Sequence, residues 1–247
     1  MRLIRPARNR QDRRWAIALS IGVLLVGAVA VALMTLQPDE RLSAIGALAI
    51  SAAVGIGVGL AWLIRAVSNA RRPMGDDLVR LLAPAFDDAY VLIVWPRLPG
   101  VPDDLEALLV GPPGVRAVIA RRWRGRYRAR DRAWEYDTRS RRGWIPCRTN
   151  PSLAAGAVAE AVTQWARGAT DDPVLSVTPV VAFPLPISRV VLEEPAGEIV
   201  TSDNAPWYAQ RIGRVQRMDA ARVGRFVQAV IDAVDGPAAA REVAALL

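Results

Sequence analysis

The sequence contains no histidine and no lysine, so all 32 of its basic residues are arginine. That absence excludes Ser-His-Asp and Cys-His catalysis, a Walker lysine, a Schiff-base lysine and histidine-based zinc sites. Cysteine is nearly absent as well. The single Cys147 cannot form an internal disulfide, and with no histidine to activate it, it reads as a small packing residue in a reducing compartment. No repeat or low-complexity tract is present.

What is abundant is uncharged length. Residues 15–36 and 42–64 carry no charge, and each exceeds the roughly 20 residues that cross a hydrocarbon core. They predict two transmembrane helices joined through residues 37–41. Six arginines precede the first stretch, and Arg65, Arg71 and Arg72 follow the second. The positive-inside bias then predicts a multi-pass protein of the cell membrane with two spans, the lipid bilayer as partner and both termini cytoplasmic. Ser51, Gly55 and Gly59 form a row of small residues suited to packing one helix of the hairpin on the other. The expected organisation is a basic cytoplasmic N-terminus (1–14), two spans, a linker (65–75) and a domain over 76–247.

Within that domain, Asp76 or Asp77 can cap a short helix ending at Leu82. Residues 90–95, 105–110, 115–120 and 174–183 read as buried strands, and 126–129 and 134–137 as shorter, more exposed ones. Residues 189–192 and 198–201 read as edge strands. Asn150-Pro151 opens a helix whose apolar face is Leu153, Ala157, Val158, Ala161, Val162 and Trp165. A second amphipathic helix starts near Asp219 and is striped by Val223, Phe226, Val227, Val230, Ile231 and Val234. Helices covering a mixed sheet give an α/β or α+β class.

Several of these landmarks occur together: YVLIVWPRLPG (90–100), DDLEALLVGPPGVRAVIARRW (103–123), a tryptophan-bearing hairpin, and Asn150-Pro151 ahead of VTPVVAFP (177–184). Together they resemble the nuclease-related domain (NERD) family, assigned to the PD-(D/E)xK restriction-endonuclease-like fold. The VGPxGV turn, here 110–115, is the most specific element, and the resemblance covers roughly residues 75–184. Alignment on the turn implies that Asp104 takes the place of the family's first acid and Glu106 that of a metal-binding Asp, with Ala107 at its histidine. It places Ile119 at the second metal ligand and Arg121 at the catalytic lysine. Two carboxylates would hold a hydrated Mg2+ while a lysine helps deprotonate the attacking water. Ile119 has no oxygen, and a permanently protonated arginine is no general base. The resemblance therefore implies a degenerate, inactive nuclease-like domain with no catalytic residues, no metal and no cofactor. Glu106 is the residual metal candidate, and Mg2+ enters only under the alternative of an active nuclease.

From Arg116 to Arg148 there are twelve arginines against three acids, whereas residues 73–115 and 149–247 hold ten against eighteen. Arg124, Arg126, Arg128 and Arg130 alternate as one face of a strand requires. Arg121, Arg122, Trp123, Arg124, Arg126, Tyr127, Arg128 and Arg130 are thus candidates for binding an anionic surface. Arginines neutralise phosphates, and Trp123, Tyr127 and Trp134 are candidate stacking platforms for bases. The other reading is a basic hairpin that contacts anionic lipid headgroups or an acidic protein. The tryptophans 123, 134 and 144 also read as partly buried packing residues.

Overall fold

The structure is a computed structural model that describes residues 1–5, 21–23, 25, 57, 60–61, 74–138 and 143–235. The chain divides into two compact units, residues 7–73 and a second made of Met1–Pro6 with Met74–Leu247. The second unit contains, in chain order, β1 (Arg2–Ile4), α1 (Met74–Leu82), β2 (Val91–Val94), β3 (Ala107–Gly111), β4 (Gly114–Ala120), β5 (Gly125–Asp131), β6 (Ala133–Asp137) and β7 (Trp144–Pro146). There follow α2 (Pro151–Thr170), β8 (Val177–Phe183), β9 (Ser188–Pro195), β10 (Glu198–Thr201), α3 (Ala205–Gly213) and α4 (Ala220–Asp235).

The expected membrane hairpin is corrected. Residues 15–36 and 42–64 lie almost wholly outside the described residues, and among the described residues no helix is long and apolar enough to cross a membrane. A span needs one continuous apolar helix of ~20 residues, and uncharged length in a sequence measures composition only. The twenty-residue helix α2 exposes Glu160, Gln164 and Arg167 and buries its other side on a sheet. The architecture described is a mixed α/β domain with two sheets, and no described helix supports the cell-membrane placement expected of the two spans.

The first sheet has the order β1-β2-β3-β4-β8-β10. Its central strands are buried on both faces because helices cover both. Leu78, Leu81 and Leu82 of α1 and Tyr208, Ala209 and Ile212 of α3 pack on Leu92, Leu109, Val118 and Val180. On the opposite face Val158, Val162 and Ala166 of α2 and Phe226, Val230 and Ile231 of α4 pack on Ile93, Leu108, Ala117, Ile119 and Val181. The buried stripe of α2 is rotated from the expected one and runs through Ala155, Val158, Ala159, Val162 and Ala166, leaving Leu153 65% exposed. Alanines interleaved with the two valines on this stripe bring the helix close to the sheet. Asn150 caps α2 by accepting from the Ser152 and Leu153 N–H groups, as expected.

β2 and β3 run antiparallel, as do β3 and β4, whereas β4, β8 and β10 are mutually parallel. β2, β4, β8 and β10 therefore all point the same way. The β3–β4 turn is Gly111-Pro112-Pro113-Gly114, and Gly114 takes a φ of +110° that an L side chain rarely adopts. α1 rides so close to β2 that a Cβ at Gly75 would collide with Val94 and Trp95. The first strand was not expected: Arg2, Leu3 and Ile4 pair parallel with Val91, Leu92 and Ile93. Residues 2–4 thus belong to this domain, and Arg5 bonds Asp76 at 2.7 Å.

The second sheet, β7-β6-β5-β9, closes one end of the α2 side. Ala129 of β5 and Trp134 of β6 join the core there, and the Trp134 Nε1–H donates to Ser152 Oγ at 2.8 Å.

One buried ionic staple ties the first sheet to α3. Arg116 on β4 donates to both carboxylate oxygens of Glu198 on β10, at 2.8 and 3.2 Å, and the Tyr208 hydroxyl donates to Glu198 at 2.6 Å. Burial drives the Tyr208 hydroxyl well above its ordinary range, with the Glu198 charge adding to the effect. Removing one partner of a buried pair leaves the other charge uncompensated, which costs about 3 kcal/mol or more. Glu198→Ala is therefore expected to lower the stability measured by urea denaturation by about that amount. Tyr208→Phe, which removes one hydrogen bond, is expected to cost about 1–2 kcal/mol.

Candidate functional site

Because β2, β4, β8 and β10 share a direction, the segments that follow them gather at one end of the sheet. Such carboxyl ends are where open α/β sheets place their ligands. Here they deliver Trp95 after β2, Arg121 and Arg122 after β4, Pro186 and Ile187 after β8, and the start of α3 after β10. Glu106 arrives from the opposite direction, immediately before β3.

Glu106 is held by Trp95. The Trp95 indole Nε1–H donates to Glu106 Oε2 at 2.9 Å, and the Trp95 N–H donates to the Glu106 carbonyl at 2.8 Å. Trp95 adopts a φ of +54°, a left-handed conformation that is strained for a bulky side chain. Burial pushes the Glu106 carboxyl above its usual range, opposed by the Trp95 N–H and by the Arg121 and Arg122 guanidiniums. The nearby Asp104 charge adds to the rise. Arg121 pairs with Asp104 at 3.3 Å and Arg122 with Asp77 at 2.9 Å. Asp77 lies on α1 and is 6% exposed. It falls on the helix's buried stripe beside Leu78 and Leu81, and that periodicity is the signal by which its inward position is legible.

The divalent cation implied by the resemblance does not fit these residues. The N–H of Glu106 donates to the Val118 carbonyl at 3.0 Å, so the residue sits against β4, yet Ile119 beside it is fully buried among the apolar residues on the α2 side. Among the described residues no three His, Cys, Asp or Glu side chains come together as a metal-binding group.

The arginines that follow divide into those with internal partners and those without. On β5, Arg126, Arg128 and Arg130 share one face, as the alternation predicts. Arg128 pairs with Glu135 on β6 and lies 3.7 Å from Glu193 on β9. Arg130 bonds the same Glu193 at 2.6 Å, and Arg126 reaches Asp137 at 3.6 Å. Arg126 and Arg128 also lie over the Trp144 ring, 5.3 and 4.8 Å from its centroid. Much of the stripe is thus a lattice neutralised from neighbouring strands.

Arg124 is different. It is exposed and has no acidic partner among the described residues, and the same holds for Arg189 on β9. Arg189 pairs in register with Arg126. Arg124, Arg126 and Arg189, with Pro186 and Ile187, line an open groove of about 910 Å³ in which Asp137 is the lone acid. Its wall is fixed by the Gly125 N–H, which donates to the Ile187 carbonyl at 3.1 Å, and by the Ser188 hydroxyl, which donates to the Trp123 carbonyl. Arg189 and Ile187 were not among the candidates read from sequence. Their place in the groove follows from the parallel β5–β9 pairing, which no local pattern announces. A second cavity of about 270 Å³ between α2 and α4 is charge-balanced by the Asp172–Arg222 pair at 2.6 Å.

The candidate stacking residues are engaged elsewhere. Trp123 packs against Tyr127, Trp134 and Phe183 with centroids 4.7, 5.7 and 5.7 Å away. Trp134 is 4% exposed, and the Tyr127 hydroxyl donates to the Arg124 carbonyl at 3.1 Å.

The raised Glu106 carboxyl has a sign that can be checked. The folded chain holds a proton that the unfolded chain has already released, so this group opposes folding above the ordinary carboxylate range and is neutral below it. Glu106→Gln keeps an acceptor for Trp95 and removes that opposition. It is expected to raise the thermal midpoint at pH 7 and leave it unchanged near pH 3; equal shifts at both would assign the effect to packing.

Comparison with family models, with curated proteins and with solved structures finds no match to this chain.

Proposed function

We propose that this domain binds nucleic acid by its phosphate backbone through the groove of Arg124, Arg126 and Arg189, and that it does so without cutting. The observation that carries the reading is the groove itself: an open cleft of about 910 Å³ with three arginines, two of them lacking an acidic partner among the described residues, against one acid. Arginine holds phosphate oxygens in a bidentate fork and is permanently charged. The backbone bonds around Gly125 and Ser188 fix the groove wall in advance, which lowers the ordering cost of binding.

The absence of cleavage is proposed on the chemistry of the neighbouring mouth. Ile119 offers no ligand atom beside Glu106, Arg121 is engaged by Asp104, and neither can activate water. Arg128 and Arg130, both committed to Glu193, contribute rigidity to the groove's sheet rather than contacts to the ligand.

The test is fluorescence anisotropy of labelled DNA and RNA with the full chain over a series of salt concentrations. Binding is expected to weaken as salt rises, with a log–log slope of about −2 to −3 for three neutralised phosphates. Arg124→Glu combined with Arg189→Glu is expected to reduce affinity by about tenfold or more at low salt. Arg130→Ala should change it little. Salt-insensitive or absent binding to both DNA and RNA would overturn the proposal.

A further inference from the structure

On the same sheet end, beyond β10, stands a feature that the groove does not use. Trp207, near the start of α3, is 58% exposed, the most exposed aromatic side chain among the described residues. Tryptophan is seldom left so open, because its ring is the largest apolar surface a side chain offers. The Arg211 guanidinium lies over the ring, 4.9 Å from its centroid, one helical turn on. Arg214 follows one turn later. Residues four and seven positions apart share a helix face, so Trp207, Arg211 and Arg214 form one surface. Arg211 and Arg214 are exposed and have no acidic partner among the described residues.

The rest of α3 explains nothing about this surface. Its buried side uses Ala205, Tyr208, Ala209 and Ile212, and Pro206 at the first turn and the Tyr208–Glu198 bond hold the helix in place without Trp207. Arg211 lies over the ring, which is still more than half exposed. An indole steadied by a guanidinium beside a row of cations is the combination that grips an unpaired nucleotide: the base stacks on the ring, and the arginines meet its phosphate.

Topology brings the start of α3, on the α1 side of the first sheet, to the end of that sheet from which the groove segments also emerge. β4, β8 and β10 are adjacent and parallel, so their exits lie about 5 Å apart from one strand to the next. The groove is lined by residues of the segments that follow β4 and β8 and by Arg126, Asp137 and Arg189 of the second sheet, and Trp207 follows the exit of β10. The groove carries arginines and no free ring; α3 carries the free ring.

We infer that Trp207 is a base-stacking residue, with Arg211 and Arg214 as its phosphate contacts, and that the ligand is nucleic acid with unpaired bases, a single strand or a frayed end. This rests on the nucleic-acid reading of the groove. The exposed ring has no part in the core, so its removal leaves the fold intact.

The experiment compares the full chain with Trp207→Ala and Trp207→Phe. Each is titrated by anisotropy into a labelled single-stranded DNA, the same strand annealed to its complement, and single-stranded RNA of the same sequence, with thermal melts as a control. Trp207→Ala is expected to weaken single-strand binding about fivefold or more, to leave blunt duplex binding unchanged and to keep its thermal midpoint. Trp207→Phe should recover most of the loss. Single-strand binding untouched by Trp207→Ala, or duplex binding lost in equal measure, overturns the stacking role while leaving the groove reading in place. Absence of salt-sensitive binding to every probe defeats the groove reading first.

Discussion

The parallel pairing of β4 with β8 is the constraint on which the arrangement depends. Two parallel neighbours cannot be joined by a tight turn, and the chain must travel back before it can run alongside itself again. Here that return contains β5, β6 and β7 of the second sheet and then α2, which packs Val158 and Val162 onto Ala117, Ile119 and Val181. With β4 and β8 aligned, β10 follows in the same sense and β2 matches it through two antiparallel steps. With β1 parallel to β2, five strands then release their following residues at one end. The apolar faces fix the direction, and the polar residues that follow the strands are brought together as a result.

Electrostatics in this domain works across sequence distance. The run from Arg116 to Arg148 has a large local excess of positive charge, and beyond Glu135 and Asp137 its partners come from outside the run. Asp77 meets Arg122, Asp104 meets Arg121, Glu193 meets Arg128 and Arg130, and Glu198 meets Arg116. The pairs differ in depth, and that decides what each does. Arg116 is almost wholly enclosed with Glu198 and Tyr208, where a lost partner is costly. Arg130 and Glu193 are open to solvent, where an ion pair contributes little to stability. Arg124 and Arg189 matter because both line the groove and each stands exposed without an acidic partner among the described residues.

The neighbourhood of Glu106 shows how a carboxylate can be retained without a metal-binding partner. Trp95 supplies two hydrogen bonds from a strained backbone, and Arg121 and Arg122 supply positive field. Burial still dominates and favours the protonated form. Such a group is suited to holding β2 and β3 together at their open ends. It is poorly suited to gripping a hydrated cation, which needs several oxygens converging on one point.

Much of the fold is legible in the sequence. Unbroken apolar runs such as VLIV and ALLVG announce strands buried on both faces, Asn150-Pro151 announces α2, and the stripe from Val223 to Val234 announces α4. These signals are local: periodicity, capping and turn chemistry depend on residues a few positions apart. The alternation of Arg126, Arg128 and Arg130 on one face of β5 was legible for the same reason, whereas Arg124, expected with them, precedes the strand. What the sequence could not decide is which charges remain free, because a counterion such as Glu193 is chosen by strand register, and register is set by the packing of a whole face. Nor could it place Arg2–Ile4 in the first sheet, Arg189 beside Arg126, or Trp207 at the shared end, since each depends on strands distant in the chain coming to lie side by side. The residues able to bind phosphate and base were fixed by the sequence. Tertiary structure alone decided which of them are neutralised, which are buried and which stand together at the open end of the sheet.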